Sequence, residues 1–159
     1  MRRDFLNHTL RHLDEQIANR MWQVGVPVLR LALGIVFVWF GALKVLGTSP
    51  AMELVTRTVY WFDPHVFVPV LGWWEIAIGI SLAVPLLNRI GIALLALQMP
   101  GTFLPLVLLP QVCFAGAAWN LTLEGQYIVN NLVIIGAALV LGGLVRSSPG
   151  TSKSRNRSA

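Results

Sequence analysis

Glu75 is the residue of this sequence whose type and position most clearly indicate a function. It lies in the apolar run Val66–Leu87, and it is the only acidic residue within any of the chain's long apolar runs. A charged side chain near the centre of a membrane helix costs about 2.5–3.5 kcal/mol, so such residues usually face a partner or a cavity. Gly72 and Gly79, at i−3 and i+4, share its helical face and predict close packing against another helix. We therefore expect Glu75 to face the interior of a bundle.

Lys44 is the candidate partner of Glu75. It lies near the end of an earlier apolar run, on the same helical face as Gly34 and Gly41. Packing of this glycine stripe against that of Gly72 and Gly79 would bring the two backbones close together. The spacing alone leaves open whether the two charges pair or whether Glu75 faces a ligand.

Further polar side chains are predicted at the same end of the bundle, and tryptophans are expected to form cavity walls. Beside the two charges, the candidate site residues are Gln98, Glu124, Gln126, Tyr127, Asn130 and Asn131, with Trp39, Trp73 and Trp74 as walls. Two interpretations remain open. The cluster is either an ion pair with hydrogen-bonded amides that fixes helix register, or the floor of an outward-facing cavity that binds a quinone or a lipid headgroup.

Several other kinds of chemistry have no residues to support them. Cys113 is the only cysteine, so the chain has no internal disulfide or dithiol pair. The three histidines lie outside the apolar runs, which excludes a bis-histidine haem in the membrane. His8, His12 and Glu15 share a helical face, but this spacing is more typical of a solvated helix, and we predict no metal site. We therefore expect no catalytic residues, and no cofactor is required, although a quinone would fit the cavity interpretation.

Membrane helices are the elements that must position these side chains. Of the 159 residues, 55% are hydrophobic and 12% are charged, which is typical of an integral membrane protein. Four apolar runs, at about 26–46, 66–87, 90–112 and 127–145, are long enough to cross a bilayer. Pro100, Pro105 and Pro110 predict that the third helix is bent or locally broken. We predict an all-α membrane protein with a four-transmembrane-helix bundle over residues 23–146.

Three segments outside the spans complete the predicted organisation. Apolar residues recur at helical spacing within residues 1–22, which predicts an N-terminal amphipathic helix lying in the membrane surface. Ser49-Pro50 begins a short amphipathic helix in the first outer loop, and Asp63-Pro64 ends it. The Ser/Gly/basic composition of residues 147–159 predicts a disordered tail.

The distribution of charge predicts the orientation in the membrane. The N-terminal segment, the turn after the second span and the tail carry most of the basic residues: Arg2, Arg3, Arg11, Arg20, Arg89, Arg146, Lys153, Arg155 and Arg157. In the two opposite loops, Arg57 is the only basic residue. The positive-inside rule therefore places both termini in the cytoplasm. Because the basic residues flank membrane spans, the net charge of +5 requires no nucleic-acid partner.

Two segments resemble the DoxX-like family of small bacterial membrane proteins. LRLALGIVFVWFGALK, residues 29–44, is similar to the family's first helix with its closing Gly-x-x-Lys. LTLEGQYIVNNL, residues 121–132, is similar to a motif that opens the last helix in one branch, although many relatives have lysine where this chain has Asn130. Glu75 matches an acid often found in the second helix. The resemblance implies an inner-membrane protein of redox or oxidative-stress physiology, since members are linked to thiosulfate:quinone oxidoreduction, to a membrane complex with oxidative-stress enzymes and to reactive-chlorine defence.

Three hypotheses for function follow, from different classes. The first is a non-catalytic membrane subunit that docks a protein partner or a second copy, or that binds a lipid or quinone. The second is the membrane subunit of a quinone-linked oxidoreductase of the thiosulfate:quinone type. The third is a small transporter, which is disfavoured because one short bundle without a repeat lacks two halves that could rock against each other.

Cysteine labelling of intact cells tests the predicted topology. Single cysteines placed within residues 48–63 or 115–124 should react with a membrane-impermeant reagent added from outside, whereas cysteines in the tail should not, because the positive-inside rule puts the tail in the cytoplasm. Labelling of the tail would overturn the orientation and, with it, the outward-facing cavity.

Overall fold

The protein is all-helical and has four segments that are able to span a membrane. The structure, a computed structural model, describes the backbone of residues 2–117 and 119–146 and the side chains of residues 14–117 and 119–144. Within these residues lie a 3₁₀ turn at Pro85–Leu87 and the helices α1 Arg2–Val45, α2 Met52–Thr58, α3 Pro64–Ala83, α4 Asn88–Leu108, α5 Pro110–Cys113, α6 Leu123–Val129 and α7 Asn131–Arg146. The segments long and apolar enough to cross a membrane are Asp14–Val45, Pro64–Ala83, Pro85–Leu108 and Leu123–Leu144. The predicted fold class is confirmed.

The first helix is continuous from Arg2 to Val45. The boundary predicted near residue 22, between an interfacial helix and the first span, is therefore not marked by a break in the backbone. Pro27 lies inside the helix, where its ring removes a single hydrogen-bond donor. The surface location of residues 1–22 remains a prediction, and the predicted disordered tail at 147–159 lies outside the described residues.

Caps and prolines set the ends of the second and third spans. Asp63 Oδ1 accepts a hydrogen bond from the backbone N–H of His65 at 2.9 Å, so α3 begins at Pro64, two residues earlier than predicted. Its end at Ala83 is also earlier than predicted, because Pro85 starts the 3₁₀ turn. The chain stays helical through Pro100 and Pro105. The break predicted for the third span occurs only at Leu109, which precedes Pro110.

The fourth span consists of two helices, α6 and α7, that meet at Asn130. Thr122 Oγ1 accepts from the backbone N–H of Gly125 at 3.2 Å, and this cap starts the helix four residues before the predicted position. Asn131 Nδ2 donates to the carbonyl oxygens of Tyr127, at 3.3 Å, and Ile128, at 2.9 Å. Side-chain bonds of this kind compete with regular helical hydrogen bonds, which fits a joint at this position.

Helix α1 packs with its backbone directly against that of the antiparallel α3. A Cβ atom added to Gly41 would lie 2.5 Å from the carbonyl oxygen of Gly72, and one added to Gly79 would lie 2.6 Å from that of Gly34. These distances leave no room for any side chain at the contact. The two predicted glycine stripes are therefore packed against each other, as small-residue stripes in membrane helices do.

The apolar core lies beneath the polar cluster and is shared by four helices. Its buried members come from α1, α3, α4 and α7: Leu33, Phe37, Ile78, Leu82, Leu95, Met99, Ala138 and Leu141. Ile78 is one turn further along α3 than Glu75, so the core begins where the polar side chains end. This arrangement holds the four spans together around the buried charge.

The glycine contact gives a stability prediction. Gly72→Ala should lower the free energy of unfolding in detergent by about 1–3 kcal/mol, because the new methyl group would force α1 and α3 apart. Gly136→Ala is the matched control, since a Cβ atom there meets nothing within 4 Å and alanine favours helix over glycine by about 1 kcal/mol. A Gly72→Ala protein as stable as the wild type would show that the two backbones are not in contact.

Candidate ligand-binding site

The site is built around an ion pair between Lys44 and Glu75. Lys44 Nζ donates to Glu75 Oε2 at 2.6 Å, and the two residues are only 5% and 7% exposed. The Cα–Cβ bonds of a helix tilt toward its N-terminus. Because α1 and α3 are antiparallel, the lysine leans toward the middle of the bundle while the glutamate leans toward the end at which α3 begins, and the charged groups meet. The sequence left open whether the two charges pair, and the structure shows that they do.

Gln98 of α4 is the third member of this cluster. Its Nε2 donates to the other carboxylate oxygen, Glu75 Oε1, at 3.0 Å. This bond fixes the orientation of the amide, since the reverse orientation would bring two oxygens together. Gln98 Oε1 is buried and accepts no hydrogen bond within the described part of the chain. An unsatisfied buried acceptor costs about 1–3 kcal/mol, so a donor at this oxygen would stabilise the site.

A cavity of about 410 Å³ adjoins the cluster. This volume is within the range of about 300–1,000 Å³ that is usual for small-molecule sites. The walls are mainly apolar and include Phe37, Phe40 and Leu71. The charged residues that line the cavity are Lys44 and Glu75, and their contact makes the site electrically neutral. The arrangement is an apolar chamber with a neutral polar floor.

The short helix α2 forms the outer wall of the cavity. Leu54, Val55, Thr58 and Val59 line this side. Thr58 is buried, and its hydroxyl donates to the carbonyl oxygen of Leu54 at 2.6 Å, so it is already engaged within the helix. The helix predicted after the first span is present, and Val55 and Val59 on it cover the cavity.

The structure brings six of the predicted site residues to the cavity: Lys44, Glu75, Gln98, Tyr127, Asn130 and Asn131. Glu124 and Gln126 are not among the lining residues and are exposed, with Gln126 Nε2 donating to the carbonyl oxygen of Leu121 at 3.3 Å. Gln126 projects from another face of α6 than Tyr127, whereas Glu124 shares the face of Tyr127 but lies one turn nearer the start of the helix.

The three tryptophans do not wall the cavity as predicted. Trp39 and Trp73 are exposed on the outside of the bundle, and Trp74 packs against the apolar core. The reason is helical geometry: residues two positions apart, such as Trp73 and Glu75, point about 200° apart around the axis.

Several cavity residues were not predicted, although helical spacing points to some of them. Val36 and Phe40 precede Lys44 by eight and four residues and share its face. Thr102 follows Gln98 by one turn, lines the cavity and donates to the Gln98 carbonyl oxygen at 3.3 Å. The contribution of α2 had no comparable signal, because it depends on how the loop folds back over the bundle.

Cys113 lies outside the cavity, in the connection between α4 and α6. It is fully buried, and its Sγ is 3.5 Å from the carbonyl oxygen of Pro105. Burial raises the pKa of the Cys113 thiol, and the negative charge of Glu124 raises it further. The thiol is therefore protonated and shielded at neutral pH.

The ion pair gives a prediction for a double-mutant cycle. Glu75→Gln should reduce the free energy of unfolding by about 3–5 kcal/mol, because it leaves a buried ammonium group without its carboxylate. Lys44→Met should cost less than Glu75→Gln, since the carboxylate still accepts from Gln98. The double variant should be more stable than the sum of the single effects predicts. The free energy of unfolding in detergent is measured for the wild type, the two single variants and the double variant.

The control for this cycle is the exposed ion pair on α2. Arg57 Nη2 lies 2.6 Å from Glu53 Oε1, the same separation as in the buried pair, with both side chains in solvent. Glu53→Gln and Arg57→Met should therefore show a coupling energy of only about 0.3–0.5 kcal/mol. Equal coupling in the two cycles, or strict additivity in the buried one, would contradict the assignment of a buried pair.

Among the comparisons with known proteins, one family model matches the chain. Residues 25–108 match the DoxX family model, which covers more than half of the chain and includes Lys44, Glu75 and Gln98. The motif at residues 121–132 lies outside the matched region. Searches among curated proteins and among solved structures gave no match. By this match, the chain belongs to the DoxX family of membrane proteins.

Proposed function

We propose that this protein is a non-catalytic membrane subunit that binds a quinone in the cavity between α1, α2, α4 and α6. The observation that carries the proposal is the neutral Lys44–Glu75–Gln98 cluster at the base of an apolar chamber of about 410 Å³. Sites for small molecules typically combine apolar walls with a few convergent polar groups. Acidic residues inside a membrane also tend to mark functional positions.

The charge of the cluster favours a ligand with a neutral head group over a ligand with an anionic head group. The ammonium group of Lys44 is compensated by Glu75 at 2.6 Å, so the cavity offers no net positive charge to a phosphate. Transfer of an anionic lipid headgroup into this site would carry a desolvation cost without a compensating cation. A quinone head is uncharged, so it avoids this cost. The proposal therefore selects a quinone over a phospholipid.

The hydrogen-bonding groups of the site complement both redox forms of such a head. An ammonium group has three donors and a phenol has one, so Lys44 and Tyr127 can donate to quinone carbonyl oxygens. Gln98 Oε1, which accepts no bond within the described residues, can accept from the hydroxyl group of a quinol. Phe37 and Phe40 line the wall and provide aromatic surface for the ring.

The location of the site supports a role at the outer side of a bacterial inner membrane. The cavity lies at the ends of α1 and α3 that the distribution of basic residues assigns to the outer face. Members of the family are linked to quinone-dependent oxidation and to oxidative-stress complexes, so a quinone-binding subunit in redox or oxidative-stress physiology fits this family. Binding in the cavity would let the protein present or sense the quinone without converting it.

Thermal and chemical unfolding with an added quinone tests the proposal. Decylubiquinone at about 100 times its dissociation constant should raise the free energy of unfolding by about 2.7 kcal/mol, because a ligand that binds only the folded state stabilises it. The Lys44→Met/Glu75→Gln double variant retains a neutral interior but loses the ammonium donors of Lys44 and the carboxylate of Glu75, and it should show less than a tenth of the wild-type affinity.

Two comparisons make the result specific. The Glu53→Gln/Arg57→Met variant changes an exposed ion pair outside the cavity lining and should respond to the quinone as the wild type does. Dioleoyl phosphatidylglycerol, an anionic lipid, should give no site-dependent stabilisation. The proposal is wrong if the quinone stabilises the double variant as much as the wild type, or if only the anionic lipid distinguishes them.

A further inference from the structure

We infer that the ligand enters this cavity sideways from the bilayer, between α1 and α6, through a gate formed by Phe40 and Tyr127. The site would then take amphiphiles whose apolar tail stays in the lipid while the uncharged head reaches the ion pair. For the identity of the head, this inference rests on the proposed function. The route itself follows from the packing of the helices around the cavity.

The side toward the outer aqueous phase is covered. Leu54, Val55 and Thr58 of α2 line the cavity from that direction, and Thr58 is buried. Lys44 lies near the outer end of its helix and is nevertheless only 5% exposed. A head group that arrived from water would have to displace α2. On the side of α1 and α6, by contrast, the cavity is lined by partly exposed residues.

The open residues lie where α1 faces α6. Phe40 and Tyr127 both line the cavity and are 39% and 44% exposed. Their ring centroids are 6.2 Å apart in an edge-to-face arrangement, which bridges the two helices. In contrast to its tight packing along α3, α1 makes sparse contact with the fourth span. The aromatic pair therefore bridges α1 and α6 beside the cavity, while the other contacts of α1 with the fourth span lie deeper, in the apolar core.

The gate is at the depth of the lipid tails. Phe40 is five residues from the end of α1, and Tyr127 is four residues from the start of α6, which places them about 6–8 Å inside the helix ends at 1.5 Å per residue. Each aromatic ring can move aside by a rotamer change. The α1–α3 contact is between backbones at the glycines and has no side chain that could move aside. The cavity can therefore open on the α6 side.

The next residues along both helices are those of the polar site. Lys44 follows Phe40 by one turn on α1, and Asn131 follows Tyr127 by one turn on the fourth span. Both line the cavity and are buried. A head that passes between the two rings therefore meets hydrogen-bonding groups within one helical turn of them, while a tail attached to it remains between α1 and α6 in contact with lipid.

Carbene photolabelling from the bilayer tests the gate without any quinone. A small apolar aryl diazirine dissolved in liposomes should label Leu71, which lines the cavity, as well as Trp73, which is exposed on the outside of the same helix. In a Phe40→Cys/Tyr127→Cys variant joined by a reducible bis-methanethiosulfonate, labelling of Leu71 should fall at least fivefold. Reduction should restore it, and labelling of Trp73 should stay unchanged.

Two further variants decide between the routes. Phe40→Ala should increase labelling of Leu71 at least threefold. This variant needs no crosslink, and its effect is opposite in sign to that of the crosslinked pair. Leu54→Cys/Leu104→Cys, crosslinked in the same way to hold α2 against α4, should leave the labelling unchanged. The native thiol of Cys113 is buried and does not compete for the reagent.

The outcomes separate this inference from the proposed function. Leu71 labelling that is unaffected by both gate variants, or that is lost only when α2 is crosslinked, overturns the lateral route even if decylubiquinone binds. If labelling of Leu71 falls in the crosslinked pair and rises in Phe40→Ala, the lateral route is supported even if decylubiquinone does not bind. In that case only the proposed ligand class fails.

Discussion

A carboxylate within a membrane helix must be compensated, and much of this structure follows from how Glu75 is compensated. The ammonium group of Lys44 neutralises it at 2.6 Å, and Gln98 satisfies its second oxygen. The pair joins two antiparallel helices whose short separation is allowed by Gly41 and Gly72, because neither has a side chain. The buried charge therefore fixes the register of α1 and α3, and the glycines fix their distance. The remaining spans pack around this pair of helices.

The bundle is consequently tight on one side and loose on the other. The α1–α3 contact is backbone against backbone, whereas the opposite wall consists of a short covering helix, a span that ends before Pro110 and a span with a joint at Asn130. Irregular backbone at membrane depth is tolerated where it is buried in protein or lines a cavity. The irregular elements of this fold do surround the cavity. The fixed side positions the polar groups, and the loose side leaves space beside them.

Periodicity and charge were sufficient to predict the four spans, the glycine contact and the residues of the ion pair. Each of these depends on positions along a single helix, which the 3.6-residue repeat determines. The errors have a different origin. Trp39 and Trp73, which we expected in the cavity wall, are exposed on the outside of the bundle, while the covering position of α2 depends on a tertiary contact that no local pattern encodes. The ends of α3 and α4 shifted because side-chain caps and prolines act over one or two residues.

The structural and ligand-binding interpretations of the polar cluster are compatible, and the cavity shows why. An ion pair that served only to fix helix register would be most stable in a fully packed interior, where every polar atom is satisfied and no space remains. Here the pair borders an open chamber, and the buried oxygen of Gln98 accepts no hydrogen bond within the described residues. Thr58, which also lines the chamber, has its hydroxyl engaged within α2, so the buried unsatisfied acceptor belongs to Gln98 of the polar cluster and not to α2. The same residues that hold α1 to α3 are thus left with hydrogen-bonding capacity toward the cavity, and a neutral head at the end of an apolar tail matches both that capacity and the walls.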